Sequence, residues 1–198
     1  MKIKVKMKLL SDAIFGNGMS VPGEEDISVL TDSQGFPYYK GGTFKGVFRE
    51  ELIRMLCWTM TEEEKTKNTP EKEADRLLGS PGEDAVFNDR RIVFSDFELS
   101  PAVRRAVMDE LGDDSDAILG ALSDTRTFTK ISEEGTAEKG SLRIARCVHK
   151  GLVFYSTVDC SEQDRELTAD VLDLIKWIGS MRNRGFGKVK ISVEDDRG

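Results

Sequence analysis

The opening of the chain alternates between apolar and cationic side chains. Ile3, Val5, Met7 and Leu9 stand between lysines. This period of two predicts a strand over 2–10, with one face in the core and the lysines on the other. A secretion signal has a continuous apolar stretch instead, so the pattern favours a strand over a leader.

Three later stretches have the period of an amphipathic helix. In the first, Thr43 is the predicted N-cap and apolar residues recur at helical spacing over 44–56. The second has its apolar face over 167–178. A shorter helix is predicted over 101–111, where Pro101 suits the first turn.

The remaining apolar runs predict strands. They cover 90–99, 125–131, 141–148, 149–160 and 188–193, and the second and third flank a polar tip, which is typical of a long β-hairpin. The order strand, helix, strands, helix, strand predicts an α+β fold. We expect a ferredoxin-like (RRM-like) βαββαβ sandwich with its helices on one sheet face.

Polar connections interrupt this order. The first, 11–42, is rich in glycine, and a connection of this length is usually functional or partly disordered. The second polar connection, 60–90, predicts a loop or a small helical insertion. The acidic runs at 62–64 and 113–116 are typical of solvated faces. We predict one domain over 1–198, with insertions at about 11–42 and 60–90 and a hairpin at about 124–148.

Composition restricts the function classes. The 198 residues are 38% apolar and 33% charged, and no window approaches the roughly 18 uncharged apolar residues of a membrane span. We expect a cytoplasmic protein without a membrane partner. The net charge of −7 argues against broad nonspecific DNA binding. It leaves room for a local basic groove, because salt screens distant charges.

Cysteine and histidine usage excludes several kinds of site. Cys57, Cys147 and Cys160 are widely spaced and form no CxxC, so neither a disulfide framework nor a zinc site is indicated and buried thiols are expected. His149 is the one histidine. A histidine metal cluster is therefore excluded.

Two glycine-rich segments have the composition of an anion site. GGTFKG (41–46) precedes a helix, whose free amides attract anions, although it does not match a P-loop and a plain helix cap remains the alternative. RNRGFG (182–187) contains two arginines, which favour multidentate phosphate contacts, and a solvated turn remains the alternative. In the simplest topology these two turns lie at opposite strand ends. The long glycine-rich loop would then have to fold back to bring them together.

The predicted hairpin is also rich in charge, with five cationic and four anionic side chains over 124–148. It also contains Phe128 and Leu142. Such a hairpin could wedge between bases while its cations hold a backbone. A plain hairpin packed on the core fits the pattern equally well.

Taken together, these segments resemble the RAMP superfamily of CRISPR-associated proteins, and more closely its type III backbone subunit. The start LLSDAIFGNG is similar to the family's start, and DISVLTDSQGFPYYKGGTFKGVFRE is similar to D-x-x-G-x-P-Y-(I/L)-(P/K)-G-(S/T)-(S/T)-(L/F)-K-G-x-x-R. RRIVFSDFEL resembles the central strand, TRTFTKISEEGTAEKGSLRI the thumb hairpin and RNRGFGKVKI the C-terminal glycine-rich loop. Because five segments match in the family's order over nearly the whole chain, the resemblance to this family is specific.

The resemblance implies a ferredoxin-like palm with an inserted β-hairpin thumb. It implies CRISPR guide RNA along a basic face, with the thumbs of neighbouring copies displacing one base at each sixth position. It implies that the guide phosphates are bound by Lys45, Arg49, Arg182, Arg184 and Lys188. It also implies that the duplex is wedged apart by Phe128 and Leu142.

The resemblance also implies a cutting residue. Asp26 matches the loop aspartate that cleaves target RNA in active members. Such a carboxylate can hold a divalent ion, Mg or Mn, and help activate a 2′-hydroxyl, giving a cyclic phosphate and a 5′-hydroxyl. The alternative is that 24–26 is an exposed acidic run without a role.

We therefore expect a subunit of an antiviral type III ribonucleoprotein that binds guide RNA and acts as a metal-dependent endoribonuclease (a hydrolase by class). It would cleave target RNA at six-nucleotide intervals, and its partners would be guide RNA, target RNA, other effector subunits and copies of itself. One alternative is a non-catalytic assembly subunit of the same complex. Others are a guide-processing ribonuclease using His149 and a ferredoxin-like domain that binds a small molecule or an anion.

Overall fold

The computed structural model describes residues 1–16, 25–80, 92–129 and 141–194 of the chain. Thirteen helices and strands fix the fold within these ranges. In chain order they are β1 (Lys2–Leu9), α1 (Gly41–Thr59), α2 (Glu62–Lys67), α3 (Pro70–Leu78), β2 (Val93–Phe94), β3 (Glu98–Leu99), α4 (Pro101–Leu111), α5 (Ser115–Leu122), β4 (Ser123–Phe128), β5 (Arg143–Val148), β6 (Val153–Asp159), α6 (Arg165–Leu174) and β7 (Val189–Glu194).

The main sheet is antiparallel, with strand order β2–β6–β1–β7, and β3 also pairs with β6. Because β1 runs opposite to β7, its last residue, Leu9, lies across from the first residue of β7, Val189. The chain leaves β1 and enters β7 at one sheet end. The expectation that the two glycine-rich turns lie at opposite strand ends is therefore wrong.

The predicted alternation along β1 is confirmed. Its apolar side chains are at most 4% exposed and face the core, where Phe44, Phe48 and Leu52 of α1 are fully buried. The lysines of β1 lie on the other face of the sheet. Helices packed against antiparallel strands confirm the predicted mixture of helix and sheet.

Helix α1 begins two residues before the predicted N-cap, Thr43. The carboxylate of Asp96 accepts a hydrogen bond from the Gly41 amide at 2.7 Å. A Cβ at position 41 would lie 2.4 Å from the carbonyl oxygen of Phe94, so glycine is required for this close approach. The helix start is thus set by a residue more than fifty positions away, which local periodicity does not reveal.

The acidic runs have two different roles. Run 62–64 lies on the exposed helix α2, as expected for a solvated face. In run 113–116, however, the Asp114 side chain accepts hydrogen bonds from the amides of Asp116 and Ala117 and caps α5. All four residues of that run are exposed, as expected for a solvated face, and the capping role of Asp114 is an addition that the sequence did not predict.

Two predicted elements are shorter than expected. The strand predicted over 90–99 appears as β2 and β3, separated by three residues, and its first two residues lie outside the described ranges. The helix predicted over 167–178 ends at Leu174. Ile178 is nevertheless fully buried, in an extended segment where Trp177 pairs with Lys188.

The predicted hairpin forms a separate two-stranded sheet of β4 and β5, in register from Ser123 opposite Val148 to Phe128 opposite Arg143. Its tip, 130–140, lies outside the described residues, as does 81–91 of the second polar connection. Ala13 exchanges two backbone hydrogen bonds with Val148 and joins the hairpin to the segment after β1. No helix in the described ranges combines the length and apolar character needed to cross a membrane.

Candidate nucleic-acid interface

A cavity of about 260 Å³ lies where the segments around the two glycine-rich turns meet. Helix α1 forms one wall, and the loop between α6 and β7 forms the opposite wall. They meet because the end of β1 and the start of β7 share one sheet end. The lining includes Thr43, Gly46 and Glu50 from α1 and Gly179, Ser180 and Arg182 from the loop.

The start of α1 presents positive charge to this cavity. Gly42 and Thr43 are exposed, and their amides lie in the first turn, where a helix supplies no internal acceptor. The first turn contains no acidic residue, and Lys40 at the N-cap makes no side-chain capping hydrogen bond. The Asp96 carboxylate accepts from the Gly41 amide at this end, while the amides of Gly42 and Thr43 have no acceptor within the helix, which favours an anion.

The opposite loop is held tightly by the segment after β1. The Ser180 amide donates to the carbonyl of Ile14 at 3.1 Å, and the Gly187 amide donates to that of Asp12 at 2.8 Å. Gly179 has φ +69°, and a Cβ there would lie 2.4 Å from the Ile14 carbonyl oxygen. The glycine thus permits close backbone packing and gives the loop a fixed position beside α1.

The three cations predicted in this loop point in different directions. The Arg182 guanidinium lines the cavity, with a nitrogen 3.9 Å from the Glu50 carboxylate. The Arg184 guanidinium lies 5.8 Å from the ring centroid of Phe128 in the hairpin. The ammonium of Lys188 lies 6.0 Å from the ring of Trp177. Only Arg182 of these three lines the cavity itself.

The two cations predicted on α1 also differ. Lys45 is half-buried in the second turn, next to the cavity-lining Gly46. The Arg49 guanidinium is 18% exposed, lies 2.5 Å from the Asp75 carboxylate and donates to the Gly79 carbonyl. Arg49 therefore links α1 to α3, and a phosphate would have to compete with this ion pair.

Asp26 lies against the hairpin. Its amide donates to the Ile144 carbonyl at 2.8 Å, and its carboxylate accepts from the Ile144 amide at 2.7 Å. The residue is exposed, while Glu25 is 8% exposed and ion-paired with Arg146. The interpretation of 24–26 as an exposed acidic run is wrong for Glu25, and Glu24 lies outside the described residues.

The tip-proximal end of the hairpin strands packs against the glycine-rich loop. Phe128 is half-buried and contacts Phe186, with ring centroids 5.5 Å apart. The Arg126 guanidinium forms an ion pair with Asp12 at 2.6 Å. Leu142 is 58% exposed. Of the two predicted wedge residues, Leu142 therefore offers the larger accessible apolar surface.

Several residues of the site had no clear signal in the sequence. Tyr39 and Glu50 line the cavity, and Phe186 carries the hairpin contact. A tyrosine shortly before a helix and a phenylalanine between two glycines are visible in the sequence, but only the tertiary fold gives them a place in the site.

The described ranges contain no cluster of metal-ligating side chains, and two of their three cysteines are buried. No group of three or more His, Cys, Asp or Glu side chains there could hold a metal ion. Cys147 and Cys160 are buried as expected, whereas Cys57 is exposed, so that part of the prediction is wrong. Burial raises the pKa of Cys147 to about 11. The imidazole of His149 lies 3.0 Å from the Asp124 carboxylate.

The sequence profile of the RAMP superfamily matches residues 6–190. The chain belongs to the RAMP superfamily. A search of curated protein sequences finds no match. The resemblance of five separate segments to this family is thereby confirmed at the level of the superfamily.

Solved structures support the fold of this RAMP protein. It is similar to a chain in the cryo-EM structure of the Type III-B Cmr-beta bound to cognate target RNA, with a TM-score of 0.66 and 12% identity over 98% of this chain and 97% of that chain. It is also similar to a chain in the cryo-EM structure of the apo state of Type III-B Cmr-beta. That match has a TM-score of 0.64 and 14% identity, and it covers 99% of this chain and 98% of that chain. At these identities the likeness concerns the fold, over nearly the full length of both chains.

Proposed function

We propose that this RAMP protein is a guide-RNA-binding backbone subunit of a type III effector complex. The observation that carries the proposal is the convergence of α1 and the 179–182 loop on one cavity. A helix N-terminus and an exposed arginine on opposite walls suit a sugar-phosphate chain. The similar chains belong to Type III-B Cmr-beta complexes, one of them bound to target RNA.

The architecture of the subunit is proposed as a ferredoxin-like palm with a thumb. The strand order β2–β6–β1–β7, all antiparallel, supports the palm, since β2 and β7 are its edges and β1 and β6 its centre. The hairpin of β4 and β5 supports the thumb, because it forms its own sheet outside the main one. Copies of the chain would align palms along the guide.

Roles follow from the positions of the cations. Arg182 and the Gly42 and Thr43 amides would hold a guide phosphate in the cavity. Lys45, next to the cavity-lining Gly46, and Arg184, two residues from Arg182, would contact neighbouring phosphates. Lys188, beside Trp177, would contact the chain further along. Arg49 has the weakest case, because Asp75 and Gly79 already engage its guanidinium. Leu142 is the better candidate for a wedge than Phe128.

Target cleavage by Asp26 is part of the proposal. Its exposed carboxylate has one oxygen bonded to the Ile144 amide, which leaves the other available to a cation. A single carboxylate suits Mg²⁺ that keeps several waters and takes further ligands from RNA phosphates. Attack of a 2′-hydroxyl on the adjacent phosphorus would break the bond to the 5′-oxygen and leave a cyclic phosphate and a 5′-hydroxyl.

Arg182→Ala tests the RNA-binding proposal. Since the oligomer is expected to carry affinity, the variant is compared within complexes purified from cells. We expect lower RNA occupancy and a smaller salt dependence of binding, by about 0.7 in slope for each phosphate that the variant no longer neutralises. Arg105→Ala is the matched control, because it removes the same charge from an exposed position on α4. A wild-type complex without bound RNA would refute the proposal.

Asp26→Asn tests cleavage separately from assembly. The amide oxygen of asparagine can still accept the hydrogen bond from Ile144, so the contact with the hairpin is retained while the charge is removed. We expect normal assembly and loss of target cutting. Unchanged cutting would favour the alternative of a non-catalytic assembly subunit.

A further inference from the structure

The hydroxyl of Tyr39 is buried, and its proton has no acceptor among the described residues. The residue is 3% exposed, and the Gly179 amide lies near its oxygen without meeting hydrogen-bonding geometry. The ring is fixed, because it contacts Phe15 at a centroid distance of 4.9 Å and the Tyr39 backbone exchanges two hydrogen bonds with Phe97.

A buried hydroxyl without a partner is unfavourable. Removing it from water costs free energy that only a hydrogen bond recovers. Most buried polar groups in native proteins are therefore satisfied by protein, water or ligand. The unpaired hydroxyl of Tyr39 is an independent sign that water or a ligand occupies the neighbouring space.

The surroundings of the hydroxyl indicate the chemistry of the occupant. Tyr39 lines the same cavity as Thr43, Ser180 and Arg182, and these side chains all supply hydrogen-bond donors. The only carboxylate in the described lining, Glu50, lies near Arg182. Burial raises the pKa of Tyr39, while the nearby Gly179 amide and Arg182 charge oppose that rise. A neutral phenol beside several donors suits an acceptor-rich group such as phosphate.

We propose that the Tyr39 hydroxyl donates a hydrogen bond to a backbone phosphate oxygen of RNA held between α1 and the 179–182 loop. The inference rests on the proposed function. It concerns a feature of this chain, since the family segment that residues 32–49 resemble has Ile or Leu at this place. Tyr39 would be a binding residue that donates to the phosphate together with Arg182 and the helix amides.

Tyr39→Phe removes only the hydroxyl and keeps the aromatic packing. We expect the free protein to unfold at the same temperature as the wild type or slightly higher, because the variant has one unsatisfied polar atom fewer. We expect affinity for single-stranded RNA to fall about ten- to 150-fold, the value of one hydrogen bond to a charged group. Tyr155→Phe is the control, because it removes the same atom from a half-exposed position on β6.

The outcomes separate the inference from the proposed function. Wild-type affinity in Tyr39→Phe, with RNA bound by both proteins, overturns the role of Tyr39 and leaves the proposed function intact. A marked drop in unfolding temperature also overturns it, because the hydroxyl would then be satisfied inside the free protein. Failure of the wild-type chain to bind RNA, alone and in its complex, overturns both. Stabilisation of the wild type by inorganic phosphate without RNA binding points to a small anion and equally overturns the assignment.

Discussion

Phe128 at the end of β4 and Phe186 in the glycine-rich loop meet edge to face, with ring centroids 5.5 Å apart. Each ring also has an arginine of the other segment near it, Arg184 beside Phe128 and Arg126 beside Phe186. The tip-proximal end of the hairpin strands and the loop opposite α1 therefore form one packed unit. A movement of the hairpin would shift the loop that lines the cavity.

Removal of this aromatic pair should lower stability. We expect Phe128→Ala to reduce the free energy of unfolding by about 1–3 kcal/mol, less than for a fully buried ring because Phe128 is half-buried. Denaturant unfolding monitored by circular dichroism measures the change. Leu142→Ala is the control in the same hairpin, and its 58% exposure predicts an effect within about 0.5 kcal/mol. Equal effects of the two substitutions would contradict the packing role of Phe128.

Arg49 should act on stability more than on RNA. We expect Arg49→Ala to cost about 1–3 kcal/mol of unfolding free energy, since the Asp75 carboxylate and the Gly79 carbonyl both lose their donor. Arg54→Ala on the same helix breaks an ion pair with Glu51 in which the arginine side chain is 63% exposed, and we expect a change within about 0.5 kcal/mol. A double-mutant cycle with Asp75→Ala measures the coupling.

The reverse result would restore the role expected from the family resemblance. If Arg49→Ala leaves the unfolding free energy unchanged but weakens RNA binding as much as Arg182→Ala, then Arg49 holds a guide phosphate and its contacts with α3 are incidental.

The difference between Arg49 and Arg182 shows what the sequence could predict. Strand β1, helix α4 and the hairpin strands follow from local periodicity, and the structure has them close to the predicted bounds. The cation positions were visible in the sequence too. Their partners were not, because Asp75 and Glu50 are ordinary acidic residues on helices until the tertiary fold brings them beside an arginine.

The meeting of the two glycine-rich turns was also beyond local patterns. It depends on β7 pairing antiparallel with β1, so that Leu9 lies across from Val189. Strand order is a global property, and neither GGTFKG nor RNRGFG contains information about it. The start of α1 is a second case, because its cap is the distant Asp96.

The three thiols should react at different rates. Cys57 is exposed, whereas Cys147 and Cys160 are buried and burial raises the pKa of both. At pH 8 we expect one thiol per native chain to react rapidly with a disulfide reagent such as DTNB, and the other two only after unfolding. Cys57→Ser should remove the rapid phase. A rapid phase that persists in Cys57→Ser would contradict the burial of the other two.

The raised pKa of Cys147 also gives a direction for alkaline stability. The folded chain retains the thiol proton up to a pKa of about 11, above the ordinary value of 9.0. Between these values the unfolded chain has released the proton and the folded chain has not, so stability falls as pH rises through this window. We expect Cys147→Ala to unfold with a shallower loss of stability than the wild type over that pH range.

The acidic run 113–116 allows a test of helix capping with a built-in control. Asp114 accepts hydrogen bonds from two amides at the start of α5, so we expect Asp114→Ala to reduce the unfolding free energy by about 0.5–2 kcal/mol. Asp113→Ala removes the same charge from the exposed neighbouring position, and we expect a change within about 0.5 kcal/mol. Thermal and denaturant unfolding of both variants measure the difference. Asp114→Asn should retain most of the stability, because asparagine also caps helices well, and a full loss in that variant would mean that charge and not the hydrogen bonds stabilises this helix start.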